Sequence, residues 1–217
     1  MARICKPDHG GMMRASAWLL AMLICGAPPH VALAEEEVYG STLDAQARAA
    51  RAAAAEDGVE VSQLAEAFCA VYPDLRGGGL PPPAAQHALE PLITLGLDGA
   101  LTAARHLHDA AIRHAPGDKP PFADGDLFSS LFEGATSCRV GAVTLARNTA
   151  SVELRYAYEA GTLMTSWTDR LSILRGDDGW RIDDVVYDGR WDFANTGSLR
   201  GMIESAAATD AGLPTAD

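Results

Sequence analysis

Two carboxylates stand out as groups able to do acid–base chemistry. Around the first the sequence reads Trp167-Thr168-Asp169-Arg170-Leu171-Ser172-Ile173. In a strand, alternate residues share a face, so Trp167, Asp169, Leu171 and Ile173 point one way and Thr168, Arg170 and Ser172 the other. An acid on the apolar face sits among tryptophan and leucine side chains. Loss of water there favours its neutral form and moves its pKa toward the range useful to a catalytic acid or base. By the same alternation Trp180, Ile182, Asp184 and Val186 share a face, with Arg181, Asp183, Val185 and Tyr187 opposite, which makes Asp184 a second inward candidate. Two neighbouring carboxylates could share a proton or hold a metal. The structural alternative is the commoner one: such an acid pairs with an arginine, for which Arg155 and Arg170 are available, with a backbone amide, or caps a turn.

Other residue types carry weaker signals. His106 and His108 are two apart in a helical stretch and point roughly 200° apart, so they cannot jointly grip a metal; His87 and His114 look peripheral. No second ligand lies at a zinc-like spacing, and no metal is expected. Asp124-Gly125-Asp126 resembles the start of a calcium loop but lacks the later alternating oxygens and the distal glutamate. Ser129-Ser130 lacks the flanking glycines of a nucleophile elbow. No cofactor motif is present. The aromatic set Tyr156, Tyr158, Trp167, Trp180, Tyr187 and Trp191 could line a ligand pocket or fill a small core, and core is the usual fate of most such residues. A ligand-binding surface is therefore expected at Asp126, Glu133, Trp167, Asp169 and Tyr187.

The elements that position these residues follow from periodicity. Residues 61–72 carry Val61, Leu64, Ala65, Phe68, Cys69 and Tyr72 at helical spacing, with Ser62 as a start. Pro73, the Arg76-Gly77-Gly78-Gly79 run and Pro81-Pro82-Pro83 end that helix. A second helical stretch is predicted over residues 84–114, divided by Gly96 and Gly99. A loop follows, then a short helix over 127–132 capped by Asp126. Beyond it, residues 140–146, 151–158, 164–174 and 180–187 read as four strands. Their turns are marked by Asn148, by Gly161 and by Gly176-Asp177-Asp178-Gly179. A last helix is predicted over 198–206. Helices first and strands afterwards give an α+β fold, with N-terminal helices packed on a curved antiparallel sheet of about four strands.

The ends and composition set the context. Arg3, Lys6 and Arg14 precede an apolar run of residues 15–25, and Ala32-Leu33-Ala34 precedes three glutamates. This pattern predicts a signal peptide over 1–34, cleaved after Ala34. The run is too short to span a bilayer, so no membrane span is expected after cleavage. Lipidation at Cys25 is disfavoured by bulky Ile24 before it. The chain has 217 residues, 17 basic and 29 acidic. The signal segment removes three basic residues and one acid, leaving 14 against 28 and a formal charge of −14. Such a surface repels phosphate backbones, so nucleic acid is not an expected partner. Two cysteines remain, Cys69 and Cys138; in an oxidising compartment they form either a disulfide or two buried thiols. Residues 35–58 are Ala-, Glu- and Arg-rich and read as a helical tether, 59–207 as one domain and 208–217 as a disordered tail.

From Lys119 onward a resemblance adds to this reading. Lys119-Pro120-Pro121, Asp124-Gly125-Asp126-Leu127-Phe128, Phe132-Glu133-Gly134, Trp167-x-Asp169 and Gly179-Trp180-Arg181-Ile182-Asp183-Asp184-Val185-x-Tyr187 resemble an uncharacterised family of bacterial secreted proteins and lipoproteins. That family is assigned to the nuclear transport factor 2-like superfamily, the cone architecture shared with ketosteroid isomerases. The resemblance implies a cone-like fold and a periplasmic or secreted location in a Gram-negative envelope, and no reaction. Within such a cone an inward acid such as Asp169 could move a proton. The expected role is non-catalytic binding of a small molecule or envelope protein through the concave sheet face. The rivals are an isomerase or hydratase using Asp169, and an envelope inhibitor or immunity-type interaction protein.

Overall fold

The structure, a computed structural model, describes the backbone of residues 30–211 and the side chains of residues 42–211. The expected signal peptide up to residue 29 and the expected tail beyond 211 lie outside the described residues. The chain divides into two compact units, Met1–Gln46 and Ala47–Asp217. The described part of the first is helical throughout.

Helix α1 spans His30–Leu75 without a break. No helix start occurs at Ser62, because the alanine-rich residues before it favour helix and contain no proline, and Gly58, just ahead of it, costs only about 1 kcal/mol. Side chains of residues 42–56 are exposed. The buried stripe begins at Val61 and continues through Ala65, Phe68, Tyr72 and Leu75, the spacing of one helix face. Pro73 falls in the final turn. Just ahead of the stripe, Asp57 accepts from Arg175 at 2.8 Å and from Trp180 Nε1 at 3.2 Å.

Helices α2 (Pro83–Leu89) and α3 (Leu95–His114) replace the predicted stretch over 84–114. The division falls at residues 90–94, and Gly96 and Gly99 lie inside α3. Thr94 causes this: its Oγ1 accepts from Leu97 N–H and caps α3. Its own N–H donates to the Ile182 carbonyl at 2.8 Å, and Ile182 N–H donates to the Leu92 carbonyl at 2.9 Å. The break is thus stitched to the sheet.

The sheet has five antiparallel strands in the order β1-β2-β3-β4-β5: Ser137–Leu145, Thr149–Ala160, Leu163–Gly176, Gly179–Tyr187 and Gly197–Ser198. It does not close into a barrel. The three expected turns are present, and Gly176 pairs with Gly179 across Asp177-Asp178. The two-residue β5 has no signal in the sequence, since two residues carry no period. Helix α4 (Leu199–Asp210) closes the described chain, and Ser198 Oγ caps it by accepting from Gly201 N–H. It runs four residues past the predicted end, so residues 208–210 are helical.

Two further differences bear on the site. Residues 127–132 form no helix but an irregular, mostly buried segment. And β4 has a bulge: Ser172 pairs with Asp184 while Ile173 pairs with Ile182. The bulge reverses the alternation, so Trp180 and Ile182 are followed inward by Val185 and Tyr187, not by Asp184 and Val186. Cys69 on α1 and Cys138 on β1 form a disulfide, with Cα atoms 5.3 Å apart. Side chains from α1, α3, α4 and the sheet make one buried cluster. Among the described residues no helix is long and apolar enough to cross a membrane.

Candidate functional site

On β3 the alternation holds. Trp167, Asp169, Leu171 and Ile173 are all buried, and Asp169 has no exposed surface. What covers it is the segment 126–135, which lies against the sheet with Leu127, Phe128, Ser129 and Ser130 buried. The Asp169 carboxylate binds this segment. Oδ2 accepts from Ser130 N–H at 2.7 Å and from Trp167 Nε1–H at 3.0 Å. Oδ1 accepts from the Ser130 hydroxyl and from Asp188 N–H at 2.9 Å. Four donors occupy the two oxygens, and neither Arg155 nor Arg170 is among them. Arg155 pairs with Glu153 and Arg170 with Asp188.

A second buried acid holds the start of the same segment. Asp126 Oδ2 accepts from the Tyr72 hydroxyl at 2.6 Å, and its Oδ1 from Phe128 N–H at 2.6 Å. The Tyr72 oxygen in turn accepts from Ala135 N–H at 2.7 Å, so one phenol ties both ends of the segment to α1. Burial pushes the Asp126 carboxyl up to about 6; the hydrogen bonds from Tyr72, Phe128 and Ser129 oppose that rise without cancelling it. Burial and the nearby Asp126 charge also push the Tyr72 phenol above its ordinary value. Tyr187 donates to the Leu127 carbonyl at 2.6 Å and Tyr156 to the Phe128 carbonyl at 3.1 Å.

The third component is the loop between β4 and β5. Its first residues are pinned: Asp188 N–H by Asp169, and Gly189 N–H by the Ser130 hydroxyl at 2.9 Å. A Cβ at Gly189 would lie 2.6 Å from Ser130 Cβ and 2.7 Å from the Trp191 ring, so only glycine allows this approach. The far end is pinned by Asn195. Its Nδ2 donates to the Asp126 and Ser129 carbonyls at 2.9 and 2.8 Å, and its backbone N–H to the Ser130 carbonyl at 2.9 Å. Between these anchors, residues 190–193 are exposed. Trp191 meets Trp167 edge-on at 5.7 Å. Beside them lies an open groove of about 600 Å³, lined in part by Trp167, Arg170, Asp188, Arg190 and Trp191.

Of the residues singled out from sequence, Asp126, Trp167, Asp169 and Tyr187 converge on the 126–130 segment. Glu133 is exposed and takes no part. Asp184 is half-buried at the bulge, where its Oδ1 accepts from Val185 N–H and from Arg200 N–H at the start of α4. His108 contacts the Pro121 carbonyl and His87 contacts Glu90. Among the described residues no three His, Cys, Asp or Glu side chains converge as a metal site would require. Sequence reasoning missed Tyr72, Ser130 and Asn195. Tyr72 reads only as a core residue, Ser130 reads only as a nucleophile without its elbow, and nothing periodic marks Asn195.

The chain matches no family model, no curated protein and no solved structure. What it can do must be read from its own geometry. A carboxylate whose two oxygens already serve four donors, under a layer of its own chain, is built to hold segments together. To take a proton from a substrate it would first have to give up a bond and shed that cover.

Proposed function

We propose that this chain is an exported, non-catalytic interaction domain of cone-like type, whose partner is a protein and not a small molecule held in the sheet's concavity. One observation carries the reading: the inward face at Asp169 is filled by residues 126–130, with every acceptor direction of the carboxylate in use. Asp126, whose value near 6 would suit proton transfer, is equally covered and held by two donors. Export is supported by the signal-like N-terminus together with the Cys69–Cys138 bridge, which persists in oxidising compartments. The strongly acidic composition supports a protein partner over a nucleic acid.

Amide hydrogen exchange tests this reading. Ser130 and Asp188, which donate to Asp169, should exchange as slowly as the central amides of β3, because the cover leaves only when the domain unfolds. Exchange of these two amides well ahead of β3 would mean that the cover opens by itself, and would favour small-molecule binding in the concavity, or the rival acid–base reading, over this one.

A further inference from the structure

The exposed tip of the loop between β4 and β5 is Arg190-Trp191-Asp192-Phe193. Phe193 is 97 % exposed and Trp191 38 %. Phe193 also adopts a left-handed backbone, φ +73°, as the third residue of a turn closed by Ala194 N–H onto the Trp191 carbonyl. Glycine or asparagine ordinarily takes that position, and a phenylalanine there costs about 1 kcal/mol or more. Among the described residues the ring gains no burial that would offset the cost. Strain of this kind persists only where the surroundings enforce it, and here the anchors do so: Asp188, Gly189 and Asn195 are each hydrogen-bonded to the buried cluster.

The tip's charges point to its occupant. Arg190 and Asp192 flank Trp191, carry opposite sign, and take no side-chain ion pair or hydrogen bond among the described residues. A patch with one free cation and one free anion around an aromatic centre is complementary to itself. About a two-fold axis, Arg190 of one copy meets Asp192 of the other, the second pair forms by symmetry, and the aromatic rings pack between them. Tryptophan and arginine are the residue types that dominate interface energies. We propose that this tip is an isologous contact surface and that its partner is a second copy of the chain. The inference rests on the interaction-domain reading and gives it a surface. One loop buries far less than a standard interface, and two acidic bodies repel, so the dimer is weak and forms at micromolar or higher concentration.

Sedimentation equilibrium of the chain as purified from expressing cells, with its disulfide intact, tests the proposal from micromolar to millimolar concentration. The average mass should climb toward that of a dimer. Phe193→Ala should weaken association about tenfold or more. Arg190→Asp alone and Asp192→Arg alone should each weaken it, and the double swap R190D/D192R should restore it, because only a self-complementary contact is mended by exchanging both charges within one chain. All four positions changed or flanked are exposed, so the variants should keep the parent's thermal midpoint. In concentration-dependent NMR spectra, the Trp191 indole and the amides of residues 189–196 should shift. A monomer at every concentration, a double swap that fails to rescue, or shifts confined to another surface would overturn the proposal. None of these outcomes bears on the cover over Asp169, which hydrogen exchange tests separately.

Discussion

Asp169 gathers donors from the 126–135 segment, from its own strand and from the residue after β4. In Asp169→Asn an NH2 group replaces one acceptor and faces two donors. We expect a loss of about 2–4 kcal/mol, read as a lower urea midpoint with an unchanged slope. Asp126 acts in the opposite sense at neutral pH. Its folded value of about 6 lies above the ordinary 3.8, so between these values the folded chain keeps a proton that the unfolded chain has lost. The stability from that proton is fully present below about pH 4 and is lost as pH rises through about 6. Relative to Asp126→Asn, the parent chain should lose up to about 3 kcal/mol across that window and then stay level. A series of urea titrations from pH 4 to 7.5 checks this; parallel curves for the two proteins would contradict it.

At the scale of elements, the disulfide joins α1 to β1 across 69 residues of sequence. In the chain-entropy account, replacing both cysteines by serine should cost about 4 kcal/mol, measurable by denaturant unfolding. Elements were legible from sequence wherever one rule acted alone. The Gly176-Asp177-Asp178-Gly179 turn, the α1 stripe from Val61 to Tyr72 and the inward set on β3 all follow from local period and turn chemistry. Where a distant group decided the outcome, the reading missed. The break at residues 90–94 depends on backbone bonds to Ile182. The bulge that turns Asp184 outward depends on its register against β3. Residues 127–132 have helical spacing, but the Ser130 amide is claimed by Asp169, 39 residues away. So Asp169 was located on the correct face, while the residues that occupy it could not be read from the sequence.

For the whole molecule, the core extends from Val61 to Ile203. A chain beginning at Ala47 keeps that core, the disulfide and the Asp57 contacts with Arg175 and Trp180. Its unfolding free energy should match that of the longer chain to within about 0.5 kcal/mol, since the side chains described ahead of Ala47, residues 42–46, are all exposed; calorimetry of the two decides it. The 217-residue chain carries a formal charge of −12, and this like charge limits how tightly copies associate.

The division of labour around Asn195 has a consequence for how the molecule can change over time. Asn195, Ser130 and Asp169 fix where the chain leaves and re-enters the buried cluster, whatever lies between. Residues 190–193 contribute no core and answer to a different demand. Substitutions there can rewrite what is recognised while the frame stays intact, and substitutions at the anchors break the frame whatever the tip says. The domain is organised as a mount with an exchangeable head, and descendants of one ancestor could share every buried bond described here and yet greet different partners.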